Sequence, residues 1–253
     1  MDLAPLRLAE DWDNVGLLVE PAKKSTVTRM LLAIDLSESV IDEAIAAEVD
    51  LIVAYHPPLF VPLKRLTQSD AKSRTIIKAI RAGIPIYSPH TALDSVTGGV
   101  NDWLADGLGE GERSPINLVP DHPGTGRLVT LAEPQTLDTL CDTIKQHLSR
   151  SHLRCAPAER HRGEDAELIS TVALCAGAGA SVIGVARAQL YLTGEMRHHD
   201  VLRANEAKSS VVLCEHTNTE RGYLEILKSQ LEAQLPEVEI SLSAADREPL
   251  EVR

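Results

Sequence analysis

Residues 27–56, VTRMLLAIDLSESVIDEAIAAEVDLIVAYH, decide the fold. MLLAI at 30–34 is apolar in succession, as a strand covered on both faces must be. Ser37 offers a side-chain oxygen to cap a helix, and Val40, Ile41, Ala44 and Ile45 then recur on one helical face. LIVA at 51–54 resumes as a strand. Strand, helix and strand in this order make a βαβ unit with parallel strands, because the helix carries the chain back across the sheet. Tyr55 and His56 follow the second strand, and Pro57 and Pro58 stop it. The carboxyl edge of a parallel sheet is where ligands bind in such folds, so His56 is a candidate site residue. A plain loop histidine is the competing reading.

The rhythm continues downstream. SDAKSRTIIKAIRAG (69–83) reads as a helix capped by Ser69 and stopped by Gly83, IPIY (84–87) as a short strand, and GGVNDWLADGLG (98–109) as a helix closed by Gly109. GEGERSPINLVPDHPGTG is rich in Gly and Pro, has no period, and reads as a linker or lobe boundary. Then come strand RLVTLAE, helix TLDTLCDTIKQHLS, strand ISTVALCAG, helix ASVIGVARA, strand LYLTGE, helix RHHDVLRANEAK, strand SSVVLCEH and helix TERGYLEILKSQLEAQL. The expected architecture is α/β: two similar lobes, 1–110 and 127–253, joined by a linker at 111–126 and forming one compact unit. No residue-level repeat accompanies the similar rhythm of the two halves.

Composition supports this class. The chain has 253 residues, 43% hydrophobic, 25% charged and only 3% aromatic, so its core is built from aliphatic side chains. A net charge of −12 argues against direct nucleic-acid binding and against an anionic membrane surface. No apolar run has transmembrane length, and no basic-then-apolar leader is visible. Cys141, Cys155, Cys175 and Cys214 are not spaced as a metal knuckle; Cys175 and Cys214 sit in strand-like runs and read as core. A reducing, cytoplasmic setting is the expectation.

Polar residues gather past three strands: Tyr55 and His56, then His90 and Asp94 in YSPHTALD, then His216 and Glu220 in CEHTNTE. His90–Asp94 and His216–Glu220 are each four apart, which puts both members on one face if a helical turn begins there. Imidazoles and carboxylates so arranged suit divalent metals of hard-to-borderline character, with donors enough for two ions. A solitary His-x-x-x-Glu arises by chance; three clusters at corresponding strand ends are harder to dismiss. CAGAGAS could cradle an anion through Gly177 and Gly179 or be a close-packed turn. His198 and His199 follow a strand but read more simply as a solvated helix start. EDWDNVGL, with Asp11, Asp13 and Asn14 around Trp12, reads as a capped turn with a buried tryptophan.

WDNVGLLVE, YHPPLF, SPHTALD, GVNDWLADGLG, YLTGEMRHHDVL and CEHTNTERGYL together resemble the NGG-one-interacting-factor-three-like family, also described as GTP cyclohydrolase type-two homologues, and most nearly its eukaryotic-type branch. The motifs fall in order over nearly the whole chain. The resemblance implies two α/β lobes with a dinuclear metal cleft between them, up to two divalent ions (Zn, Fe or Mn), and homo-oligomers from dimer to hexamer. It carries metal ligation onto His56, Asp94, His216 and Glu220. The family pattern has two adjacent histidines before the proline turn; here Tyr55 replaces the first. Many relatives carry an inserted middle domain for which this linker is too short.

The function expected is a metal-dependent hydrolase acting on a nucleotide or other phosphorylated small molecule, with His90 as the spare group for proton transfer. The rival is a non-catalytic metal-binding or regulatory protein acting through partners, which the missing imidazole at Tyr55 favours. A transcriptional partner is a third reading, resting on the family's name alone.

Overall fold

The structure is a computed structural model, described over residues 3–22, 26–117 and 124–251. It is mixed α/β and divides into two units, one of residues 1–93 and 223–253, the other of residues 94–222. Each unit has its own sheet.

The first unit is built on the stretch that opened the sequence reading. β2 (Arg29–Ala33), α1 (Glu38–Ala46) and β3 (Leu51–Ala54) form the expected βαβ, and β2 and β3 pair in parallel from Met30↔Leu51 to Ala33↔Ala54. The Ser37 side chain accepts from the Val40 amide and caps α1. Val40, Ile41 and Ala44 are buried against Leu31, Ala33, Ile52 and Ala54, as the helical spacing requires. α2 (Ala71–Ala82) leads to β4 (Ile86–Ser88), parallel to β3. Asp70, not Ser69, caps α2, accepting from the Ser73 amide, and Gly83 ends it in the left-handed region at φ 74°. β1 (Gly16–Val19) pairs antiparallel with β4 on one edge. On the other edge β11 (Glu239–Leu242), reached through α8 (Tyr223–Gln234), pairs in parallel with β2.

In the second unit, strands β5 (Gly111–Pro115), β6 (Arg127–Gln135), β8 (Ile169–Cys175), β9 (Leu190–Thr193), β10 (Ser210–Leu213) and β7 (Arg154–Ala156) lie in that spatial order. β8, β9 and β10 are parallel neighbours, and the remaining pairs are antiparallel. The helices are α4 (Val100–Asp106), α5 (Leu137–His147), α6 (Ala180–Ile183) and α7 (His198–Glu206). The short α3 (Thr91–Ser95) carries the division between the units. Arg127, 5% exposed, is held by Asp102 of α4 at 2.5 Å and 3.0 Å.

The units do not follow the expected 1–110 and 127–253 lobes. The segment expected as a linker contains β5, which pairs with β6 from Gly111 to Pro115, while residues 118–123 lie outside the description. The C-terminal residues return to the first unit because β11 finds its partner in β2 and α8 packs on both. Two expected helices are also shorter. α6 stops at Ile183, and the TERGYLEI segment opens with a 3-10 turn at Thr217–Thr219 before α8 begins at Tyr223.

Candidate metal centre

Four parallel strands in the first unit and three in the second end at one edge of their sheet, and each edge holds a histidine with a carboxylate on its Nδ1. In the first unit Asp35 follows β2 and His56 follows β3. His56 Nδ1 donates to Asp35 Oδ1 over 3.0 Å. The backbone prolongs the parallel pairing past the strands, with Tyr55 N donating to Ala33 O and His56 N to Ile34 O. That fixes the register of the two side chains. In the second unit Glu195 follows β9 and His216 follows β10, and His216 Nδ1 donates to Glu195 Oε1 over 2.6 Å. Both pairs are separated by 21 residues, one βαβ crossover.

His90, past β4, makes the same contact differently. Its Nδ1 donates to Asp13 Oδ1 over 2.7 Å. Asp13 has a fully buried side chain. It also accepts from the Thr91 amide at 3.1 Å and the Thr91 hydroxyl at 2.5 Å. Burial pushes the Asp13 carboxyl pKa up, but the hydrogen bonds of His90 and Thr91 outweigh it and hold the group below the ordinary aspartate range. The buried tryptophan expected in EDWDNVGL is corrected here: Trp12 is 61% exposed, and Asp13 is the buried member. The aspartate gains three donors inside, whereas an indole there would displace them.

A carboxylate on Nδ1 fixes the imidazole tautomer and leaves Nε2 as the metal-ligating nitrogen. In the second unit Nε2 of His216 lies 3.4 Å from Oε1 of Glu220, so the four-residue spacing does put both on one face. A Cβ on Gly177, whose φ is +61°, would come within 2.6 Å of Glu220 Oε1 and 2.9 Å of His216 Nε2. The glycine therefore keeps open the volume in front of both donor atoms. Within the second unit, the imidazole of His216 and the carboxylate of Glu220 are donor types that suit a borderline divalent cation.

Backbone strain coincides with these positions. Among the described non-glycine residues, positive φ occurs at Glu48, His90, Ser149, Lys208 and Glu215. Glu48, Ser149 and Lys208 follow helix ends, where it is common. His90, at φ 32°, and Glu215, at φ 66° just before His216, follow no helix end.

The other candidates resolve as follows. CAGAGAS is a close-packed turn. Gly177 N donates to Thr219 Oγ1 and Gly179 N to Thr193 Oγ1, so side-chain hydroxyls take up these amides. His198 and His199 are exposed in the first turn of α7. Asp94 is half-buried in α3, and its carbonyl accepts from the Asn101 side chain. Cys175 and Cys214 are buried, and burial pushes the Cys214 thiol up to about 12. Sequence reasoning missed Asp35 and Glu195. The signal was present in each case: an acidic residue just past an apolar strand, 21 positions before a histidine just past the next.

The class is therefore an α/β protein that presents carboxylate-oriented histidines and an acidic donor at the carboxyl edges of parallel strands. The family model described as DUF34/NIF3 (NGG1p interacting factor 3) matches residues 1–249, and the chain belongs to this family. It is 38% identical to NIF3-like protein 1 of Homo sapiens over 340 aligned positions, covering 99% of this chain and 90% of that protein. Its identity to the NIF3 homolog of Schizosaccharomyces pombe is 41% over 260 positions, covering 96% and 92%. Among solved structures, it superposes on reduced HcgD from Methanocaldococcus jannaschii with a TM-score of 0.80 at 26% identity, covering 95% of this chain and 92% of that one. A Bacillus cereus protein related to NIF3 gives 0.81 at 22% identity, covering 99% and 96%, and shares the fold. Among the described residues, no helix is long and apolar enough to cross a membrane.

Proposed function

We propose that this protein is a divalent-metal-dependent hydrolase of nucleotides or other phosphorylated small molecules. His56, Asp94, His216 and Glu220 would hold up to two ions. The single observation that carries the reading is the repeated device of a histidine oriented through Nδ1 by a carboxylate, at His56 and Asp35 and again at His216 and Glu195. A bound ion supplies an acidified water and charge stabilisation at the scissile group. The chain's own residues do the rest. Asp35 and Glu195 fix ring orientation and tautomer. Asp13 holds His90 in one tautomer, so His90 Nε2 is the atom that accepts or returns a proton. Gly177 keeps the donor atoms of Glu220 and His216 uncovered.

A second reading, a non-catalytic metal-binding protein acting through partners, is favoured by Tyr55. It stands where the family pattern has an imidazole, and it is 2% exposed. A phenol ligates as phenolate, and its reference pKa of about 10 makes it a poor replacement. Metal-reconstituted protein assayed against a panel of phosphate esters and nucleotides separates the two. Turnover that Glu220→Gln abolishes supports the hydrolase; bound metal without turnover across several metals leaves the second reading.

A further inference from the structure

The chain has one phenylalanine, two tryptophans and four tyrosines. So few aromatics would be expected in the core, yet three of them surround His90. Ring centroids lie 5.7 Å from His90 for Tyr55, 6.0 Å for Trp12 and 6.3 Å for Phe60, and Trp12 and Phe60 meet edge-on at 5.8 Å. Tyr55 is buried, but Trp12 and Phe60 are 61% and 47% exposed. They line a groove of about 870 Å³ together with Leu63, Leu66, Ile80, Lys64 and Arg65. The Asn14 side chain donates to Leu59 O and ties the turn that carries Phe60. The rings are thus held open on an anchored segment.

We propose that this groove is a binding site for a planar heteroaromatic ring bearing a phosphate, the ring stacking on Trp12 and Phe60 and the phosphate meeting Lys64 and Arg65. Exposed aromatic faces bind any base by its π surface. Lys64 and Arg65 outweigh Glu20 in the lining, so in a protein of net charge −12 the groove has a local sign opposite to the whole. The contact of Trp12 and Phe60 with His90 places the bound molecule beside the group assigned to proton transfer. This deepens the hydrolase reading by assigning its substrate a binding groove and depends on that reading only for the reaction, so binding is tested without metal or turnover.

In a Trp103→Phe background, Trp12 is the sole tryptophan emitter. Metal-stripped protein of this form is titrated with adenosine monophosphate, guanosine monophosphate, adenosine and ribose 5-phosphate. Saturable quenching by the two nucleotides is expected, with adenosine weaker and ribose 5-phosphate silent. Phe60→Leu, which keeps an apolar side chain but removes the ring, should weaken nucleotide binding about fivefold or more. The double change Lys64→Glu with Arg65→Glu should weaken the nucleotides and leave adenosine unaffected. Folding of each variant is checked by circular dichroism. Quenching by none of the four, or equally by ribose 5-phosphate, overturns the proposal. Trp12 emission that follows protein concentration and ignores nucleotide overturns it too, since a second copy would then cover the groove. Success here with no turnover in the hydrolase panel would sink the reaction and keep the ligand.

Discussion

Glu195 touches His216 Nδ1 at 2.6 Å, and a glutamine there would keep the size and an acceptor oxygen but lose the charge, so the charge is the property to test. Glu195→Gln should lower metal affinity by about 10–100-fold, with little change in thermal stability at a half-exposed position. Competitive chelator titration measures it, and an unchanged affinity would mean that the carboxylate does not orient a ligand. A second residue-scale prediction concerns Asp102. Burial pushes its carboxyl pKa up, but the hydrogen bonds and charge of Arg127 outweigh this and hold it below the ordinary range. A depressed folded-state pKa means that the pair's contribution is complete above about pH 4 and is lost as pH falls through the lowered value. Asp102→Asn should cost about 3 kcal/mol near neutrality, because it leaves Arg127 buried without its counter-charge. That deficit should shrink on acidification. Urea unfolding at pH 7 and below pH 4 gives both numbers, and a pH-independent deficit would contradict the ion-pair account.

At the scale of elements, two glycines in left-handed turns make a matched pair. Gly83 ends α2 at φ 74°, and a Cβ there meets nothing within 4 Å. Gly177 follows β8 at φ 61°, and a Cβ there meets Glu220 and His216. Gly83→Ala should cost about 1 kcal/mol of backbone strain and leave metal binding intact. Gly177→Ala should cost at least as much and also reduce metal content after reconstitution, read by mass spectrometry. Equal metal content in both variants would show that Gly177 serves only its turn. The βαβ crossovers were legible in sequence because apolar runs and helical spacing are local properties. The shortened α6 and the 3-10 turn at Thr217–Thr219 were not. GVARA continues an apolar pattern that the chain leaves after Ile183, and no local periodicity records that choice.

For the whole molecule, we propose a homo-oligomer, from dimer to hexamer, as the family resemblance implies. Sedimentation at micromolar concentration should show a species heavier than the monomer; a clean monomer would end the claim. The alignment with the human relative runs over 340 positions, more than the 253 residues here, so extra segments in that relative have no counterpart in this chain. By itself the sequence determined the α/β class, the parallel strands and the strand-end location of His56, His90 and His216, because each follows from residues within a few turns of one another. It did not determine how the chain is shared between units, since β11 adds to β2 from 210 residues away and no spacing encodes that pairing. Nor did it reveal what orients the histidines. Asp13 reaches His90 across 77 residues, and Asp35 and Glu195 reach theirs across a crossover. A hydrogen bond is fixed by where two backbones end in space, and only the tertiary structure sets that.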